Sequence, residues 1–483
     1  MKMIDGYDED ELYYGFLEEE QETEVSNKLD LPALIKEYTA SATDVSKYNH
    51  VPAAMSAFVL LGQMSKDMVC IPSGKRREDT RIPFLWMQTS GSGKTELYNF
   101  FGPVAKKTFE LLQSRGHYFD IFDVKEITDA ALIGSMKQEE VIVDNGEGPV
   151  REYIDVQIKG ALEGDGLIVY DEFEYSGVFK QSQHKENVVM YLMTLMNTLW
   201  GENWVITKKL KDGDTVLECR CQRSVYATSY IPKALTSVIA EKGIMQRMLI
   251  FIWEVPQSIQ DEIRTSVINE YGKVVDNKAP IERFAQGFAK VHETLKERYT
   301  DVGNDPLKVM TFSNDFNNAV LREYESMRKY VESSRAEVMD IATNFLTRLN
   351  NHLVRISMLC AIAEAPSITD KSKRFQVNSR NVAQAGSLIR QCYKSLVSWL
   401  DTALRVERKG LQEKANVNIF KQVYDELNKP DSDGFVNKTI LIGKVRSTTK
   451  KGESTIYKWF QKISDNFEEK RIAKKAYIKW VGE

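Results

Sequence analysis

Apolar positions in the first half of the chain fall into short, well-separated runs. Residues 29–66 carry helical periodicity in two stretches, opened by Leu31-Pro32 and Val51-Pro52, and the uncharged run Val51–Ser65 predicts a buried helix. Ile82–Met87 is apolar and ends in serine and glycine, which predicts a buried strand running into a loop; 94–114 predicts the helix that follows. Ser135–Asp155 holds the turn residues Asn145-Gly146-Glu147-Gly148-Pro149 between two β-like runs and predicts a protruding hairpin. Gly166–Tyr170 predicts a second buried strand and 185–200 a helix. Trp204–Cys221 predicts another hairpin, turned by Lys211-Asp212-Gly213-Asp214, and Ser224–Ser229 and Met248–Trp253 predict two more strands. From about 281 to 402 the pattern is helical, and the polar stretch Arg405–Asn416 reads as a linker to a C-terminal module. Strands alternating with helices predict an α/β core on a parallel sheet. The expected division is an acidic tail (1–26), a helical N-terminal region (27–80), the α/β core with its hairpins (81–280), a helical lid (281–404), the linker (405–416) and the C-terminal module (417–483).

Composition adds bounds. The 483 residues are 42% hydrophobic and 28% charged, ordinary for a soluble globular protein of two or three domains. Residues 1–24 hold ten acids against Lys2, so the net charge of -4 hides a mildly basic body behind an acidic segment. Such a block stays solvated, or serves as a DNA mimic or docking segment. The five cysteines are scattered without metal spacing, which predicts reduced thiols and neither disulfides nor zinc. The first residues lack the order of a secretory signal and Val51–Ser65 is too short to span a bilayer, so a cytoplasmic protein without membrane contact is expected.

The loop after the first strand carries chemistry. In QTSGSGKT, Gly91 and Gly93 let backbone N–H groups turn inward, Lys94 neutralises β/γ-phosphate charge and the Thr95 hydroxyl can ligate Mg²⁺; the cradle runs through Ser90, Gly91, Ser92, Gly93, Lys94 and Thr95. Gln88 replaces the first glycine of the usual signature, a position that eases the way into the loop without building the cradle. GLIVYDEFE ends a strand in acids: Asp171 can hold the Mg²⁺ shell and Glu172 can polarise an attacking water. Lys94 and Asp171 are 77 residues apart, a spacing that predicts neighbouring strands of one parallel sheet. Thr228, favoured over Ser229, offers a γ-phosphate sensor at another strand end, and Arg247 precedes an apolar strand, where a guanidinium can reach a neighbouring subunit's ATP.

The ordered set of phosphate loop, TDAALIGS, insert, KGALEGDGLIVYDEF, ITKKLKDGDTVLE, ATSYIP, QRMLIF and TRLNNHLVRIS resembles AAA+ ring helicases of the MCM type and the P-loop domain of phage and plasmid replication helicases. The resemblance covers roughly residues 30–395. It implies an ATP-dependent DNA helicase of a mobile element or phage, working as a hexameric ring with possible replication-protein partners; an AAA+ initiator that remodels DNA without processive unwinding is the alternative. It further implies that Arg247 is a trans-acting finger, that Arg348 is a second sensor, and that the two hairpins are pore elements. Lys208, Lys209 and Lys211 then become candidate grips on a phosphate backbone. The asparagine sensor and the large N-terminal domain of MCM proteins are missing. Arg355, seven residues after Arg348, is expected to form an ion pair on the helix surface.

In the C-terminal module, residues 436–462 carry a net charge of +6. Ile456, Trp459, Phe460 and Ile463 fall at helical spacing and leave Thr455, Lys458 and Lys462 on the other face. Helices at Ile419–Leu427, Lys438–Lys444 and from Ser454, followed by KRIAKKAYIKW, resemble a winged helix-turn-helix, with Lys450, Lys451, Thr455, Lys458 and Lys462 as candidate DNA contacts; a protein-docking role for the same module stays open. Trp480 and Tyr477 are expected to pack the wing onto its core.

Overall fold

The computed structural model describes residues 29–73, 76–124, 132–144, 149–176, 178–179, 186–196, 205–209, 216–232, 235–241, 243–270, 277–299, 310–367, 375–427, 433–472 and 475–482. The acidic tail, Lys211 and the tips of both hairpins lie outside them. The chain divides into two compact units, Met1–Trp399 and Leu400–Glu483.

The first unit opens with helices α1 (Ala33–Val45) and α2 (His50–Ser65). Every residue of α2 from Val51 to Ser65 is buried, as its uncharged sequence requires, and no helix among the described residues is long and apolar enough to cross a membrane. Strand β1 (Phe84–Gln88) is followed by α3 (Lys94–Gln113), β2 (Asp120–Val124), an antiparallel pair β3 (Gly134–Asp144) and β4 (Pro149–Lys159), and β5 (Gly164–Tyr170). Then come α4 (Glu186–Leu195), β6 (Val205–Lys209), β7 (Val216–Ser229), the short α5 (Gly243–Arg247) and β8 (Leu249–Trp253). Helices α6 (Lys278–Tyr299), α7 (Phe316–Glu332), α8 (Ala336–Ala363) and α9 (Ser379–Glu426) follow.

Five strands form one parallel sheet in the order β8-β1-β7-β5-β2. Lys94 and Asp171 therefore follow strands that are not neighbours: β7 lies between β1 and β5, with Trp86 opposite Thr228 and Tyr170 opposite Ala227. The expectation of adjacency fails because chain separation fixes only the length of the crossover, while the later strand β7 completes the centre of the sheet. All five strands run the same way, so their C-terminal ends, and the loops that follow them, share one edge. The core around them is aromatic: Tyr226 packs on Phe84 and Phe101, and Tyr38 meets Phe100, Phe284 and Phe288.

Both expected hairpins are present. β3 and β4 pair over eleven positions from Gly134–Lys159 to Asp144–Pro149, and β6 pairs with the first part of β7, Lys209 opposite Val216. The fourteen-residue β7 thus belongs to a hairpin at its start and to the sheet at its end. Gln157 Nε2 donates to the Glu218 carbonyl at 2.9 Å and ties the two hairpins together.

The stretch expected as a linker is helical: Arg405–Asn416 lies inside α9. Arg, Glu, Lys, Gln and Ala supply strong helix propensity there, and Arg405–Asp401 and Gln412–Asn416 bond across one turn, so a polar composition does not make a loop. In the second unit, β9 (Val436–Asn437), α10 (Lys438–Thr449), α11 (Glu453–Lys462), β10 (Phe467–Ile472) and β11 (Lys475–Trp480) follow α9, with the three strands antiparallel in the order β9-β11-β10. Asn437 caps α10 by accepting from the N–H groups of Thr439 and Ile440. Ile456, Phe460 and Ile463 are buried with Phe420, Leu441, Val445 and Ile478, and Trp459 packs against them. Trp480 meets Phe467 edge-on, the packing role its sequence context predicts.

Candidate functional site

The C-terminal edge of the parallel sheet gathers the phosphate loop, the DEFE acids and the Thr228-Ser229 pair. Gly91 and Gly93 sit at φ 72° and 90°, a backbone that a side chain resists, and Gly93 opens α3. A Cβ on Gly91 would meet nothing within 4 Å among the described residues, so it is the backbone conformation and not crowding that calls for glycine there. Ser92 Oγ donates to the Thr89 carbonyl at 2.5 Å, and Lys94 Nζ donates to the carbonyls of Gln88 and Thr89 at 2.7 and 3.0 Å. Lys94 is half-buried; burial pushes its ammonium below the ordinary lysine value, while the carboxylates of Glu174 and Asp171 act in the opposite sense. Ser90 and Thr95 are exposed and Ser92 is buried.

Beyond β7, the acids are held by two consecutive hydroxyls. Thr228 Oγ1 donates to Asp171 Oδ1 at 2.8 Å, and Ser229 Oγ reaches Glu174 Oε2 at 2.7 Å and the Tyr230 carbonyl at 2.6 Å. Thr228 and Ser229 fall on opposite faces of β7, so each meets a different carboxylate of the DEFE run. Glu174 is 4% exposed, and burial raises its carboxyl above the usual glutamate range. Glu172 is exposed, and among the described residues no side chain bonds its carboxylate. Its φ of 59° places a non-glycine residue in the left-handed region, a strain that folds tolerate where geometry serves a site. Thr95 and Asp171, both exposed oxygen donors, fit a hard divalent cation such as Mg²⁺, and the glycine-rich turn at the N-terminus of α3 suits a polyphosphate.

Arg247 is not part of this group. It precedes β8, whose Leu249 pairs with Phe84 at the start of β1, so it stands at the edge opposite to the phosphate loop. Five residues of strand separate the two edges, about 15 Å. Arg247 Nη1 donates to the Gly243 carbonyl at 2.9 Å, and its carbonyl lies 3.2 Å from His352 Nε2. Burial, and then the charge of Arg348, hold the Arg247 guanidinium below its ordinary value. Arg348 is exposed, and among the described residues no carboxylate pairs with either arginine. His352 is buried and pushed down to about 3, mainly by burial, so it adds no third charge at neutral pH. Arg355 pairs with Glu78, as expected, but in a buried rather than a surface setting.

Among the candidate DNA contacts, Lys208 and Lys209 stand in β6 opposite Leu217 and Val216, and Lys211 lies outside the described residues. Lys450, Lys451, Lys458 and Lys462 are exposed and Thr455 is half-buried, all on or just before α11.

Sequence reasoning missed three contributors: Ser46 and Asn49, which bond the phosphate loop from the turn between α1 and α2, and Glu174, the last acid of DEFE. Only Glu174 had a local signal, the repetition of acids two residues apart. No protein-family model matches the chain, and no curated protein matches it. The functional reading therefore rests on the site itself.

Proposed function

We propose that the chain is an ATP hydrolase of the AAA+ type that assembles as a ring, six subunits by resemblance, and uses hydrolysis to move along DNA and separate its strands. The observation that carries the proposal is the opposition of two half-sites on one sheet. Lys94, Asp171, Glu172 and Thr228 share the C-terminal edge, while two arginines without a carboxylate partner among the described residues wait near the other. An arginine about 15 Å from its own phosphate loop is placed to act on a neighbour's nucleotide, which supports assembly as a ring.

In this reading the N–H groups of the loop and Lys94 bind the β- and γ-phosphates. Mg²⁺ held by Thr95 and Asp171 would neutralise charge on the phosphates. Glu172, whose carboxylate has no hydroxyl partner among the described residues, takes the proton of the attacking water. Thr228 keeps Asp171 oriented and senses the γ-phosphate through that carboxylate, and Arg247, with Arg348 as second sensor, stabilises the transition state across the interface. The hairpins β3–β4 and β6–β7 serve as pore elements. The second unit, with its helix-strand-helix-helix-strand-strand order, supports the winged-helix reading, its exposed lysines meeting DNA phosphates.

The test is ATP turnover with and without DNA, together with separation of a forked duplex. DNA-stimulated turnover lost in Lys94→Ala and in Glu172→Gln supports the proposal; a purified chain with neither turnover nor strand separation refutes it. The exposed lysines of the second unit also favour a second reading, an AAA+ initiator, which would melt an origin without processive unwinding.

A further inference from the structure

We propose that Ser46 and Asn49 are positioning residues that aim the N–H groups of the phosphate loop; the inference rests on the reading of that loop as an ATP site. Ser46 Oγ donates to the Gly93 carbonyl at 2.6 Å, and Asn49 Nδ2 donates to the Ser92 carbonyl at 2.8 Å and to Ser46 Oγ at 2.8 Å. Both residues are 1% exposed. A trans peptide points its C=O and N–H in opposite directions. Fixing the Ser92 carbonyl on Asn49 therefore turns the Gly93 N–H the other way, and fixing the Gly93 carbonyl on Ser46 does the same for the Lys94 N–H. These two groups stand at the N-terminus of α3, where a phosphate is received.

The arrangement is unfavourable for the helix that supplies it. Asn49 occupies the N-cap of α2, where an asparagine normally accepts from the first turn, yet its side chain makes no cap bond and its Oδ1 is buried without a partner among the described residues. Tyr48, between the two residues, takes a left-handed φ of 67°. A forgone cap, an unpartnered oxygen and a strained turn all serve the two bonds to the loop. The approach is also close: a Cβ on Gly93 would come within 2.7 Å of Ser46 Oγ and 3.0 Å of Asn49 Nδ2, so glycine at 93 is needed for the latch as well as for its φ.

The test is calorimetric titration of the full chain with Mg-ADP and with a non-hydrolysable Mg-ATP analogue, alongside steady-state turnover. Ser46→Ala removes one hydroxyl, and Asn49→Asp replaces a donor by an acceptor facing two oxygens. Each should weaken both nucleotides by about 10-fold and by the same factor, since both carry the β-phosphate, while KM for ATP rises and kcat stays within about twofold. Unchanged affinity in Ser46→Ala, or a fall in kcat at constant KM, overturns the inference while leaving the ATPase reading intact. A wild-type chain that binds neither nucleotide overturns both. Should Asn49→Asp not fold, by circular dichroism, Ser46→Ala alone decides.

Discussion

Thr228 and Ser229 are adjacent, carry the same hydroxyl and bond neighbouring acids, yet their removal should have opposite signatures. Thr228→Val keeps shape and deletes the 2.8 Å bond to Asp171, whose carboxylate is exposed and regains water; the stability cost is under about 1 kcal/mol. Ser229→Ala strips the 2.7 Å bond from Glu174, which is 4% exposed and has little water to replace it, at a cost of about 1–3 kcal/mol. Turnover should invert the order: Thr228→Val loses about 10–100-fold in kcat because Asp171, which would hold the Mg²⁺ shell, loses the hydroxyl that orients it. Ser229→Ala falls less. Urea unfolding followed by circular dichroism at constant m reads the first quantity, and phosphate release at saturating ATP reads the second. Equal stability losses, or full turnover in Thr228→Val, would refute the division of labour.

Further outcomes follow from the same geometry. Burial makes folded Glu174 hold its proton more tightly than the unfolded chain does, so stability falls as pH rises from the ordinary glutamate value of 4.5 through the raised one; Glu174→Gln should flatten that slope in denaturant titrations across pH. Lys94→Ala and Arg247→Ala should each be inactive, but mixing them should recover part of the turnover, because mixed interfaces unite an intact loop with an intact arginine; no recovery argues against action in trans. Replacing Lys450, Lys451, Lys458 and Lys462 by alanine should reduce the slope of log affinity for DNA against log salt by about 1 for each phosphate that is no longer neutralised. Gln88→Gly should retain turnover per folded molecule and, by urea unfolding, cost less stability than a cavity of its size would, since the fully buried Gln88 side chain leaves both its amide atoms without a hydrogen-bond partner among the described residues.

Local patterns carried the fold where a residue's neighbours in sequence are its neighbours in space. The phosphate loop, both hairpins, the buried helix Val51–Ser65 and the amphipathic α11 were legible for that reason. The strand Asp120–Val124 was not: it lies at the sheet edge, holds two aspartates in five residues, and one of them, Asp120, binds Arg223 from β7. The insertion of β7 between β1 and β5 is a long-range pairing that no periodicity encodes. Ser46 and Asn49 meet the loop 47 and 43 residues away, and their sequence context is that of an ordinary helix-helix turn. Polarity misled at Arg405–Asn416, where helix-forming residues need no apolar face to stay helical.

The unbroken strand from Val216 to Ser229 also restricts how this chain can change. Because side chains alternate along it, deleting one residue between Leu217 and Thr228 turns one end of the strand over against the other: with the hairpin register kept, the serine takes the threonine's place facing Asp171, and no serine or threonine remains at the place facing Glu174. With the sheet register kept instead, the hairpin shifts against β6 by one position. Changes of two preserve the facing of every side chain, and changes confined to the segment between Lys209 and Val216 leave both registers untouched.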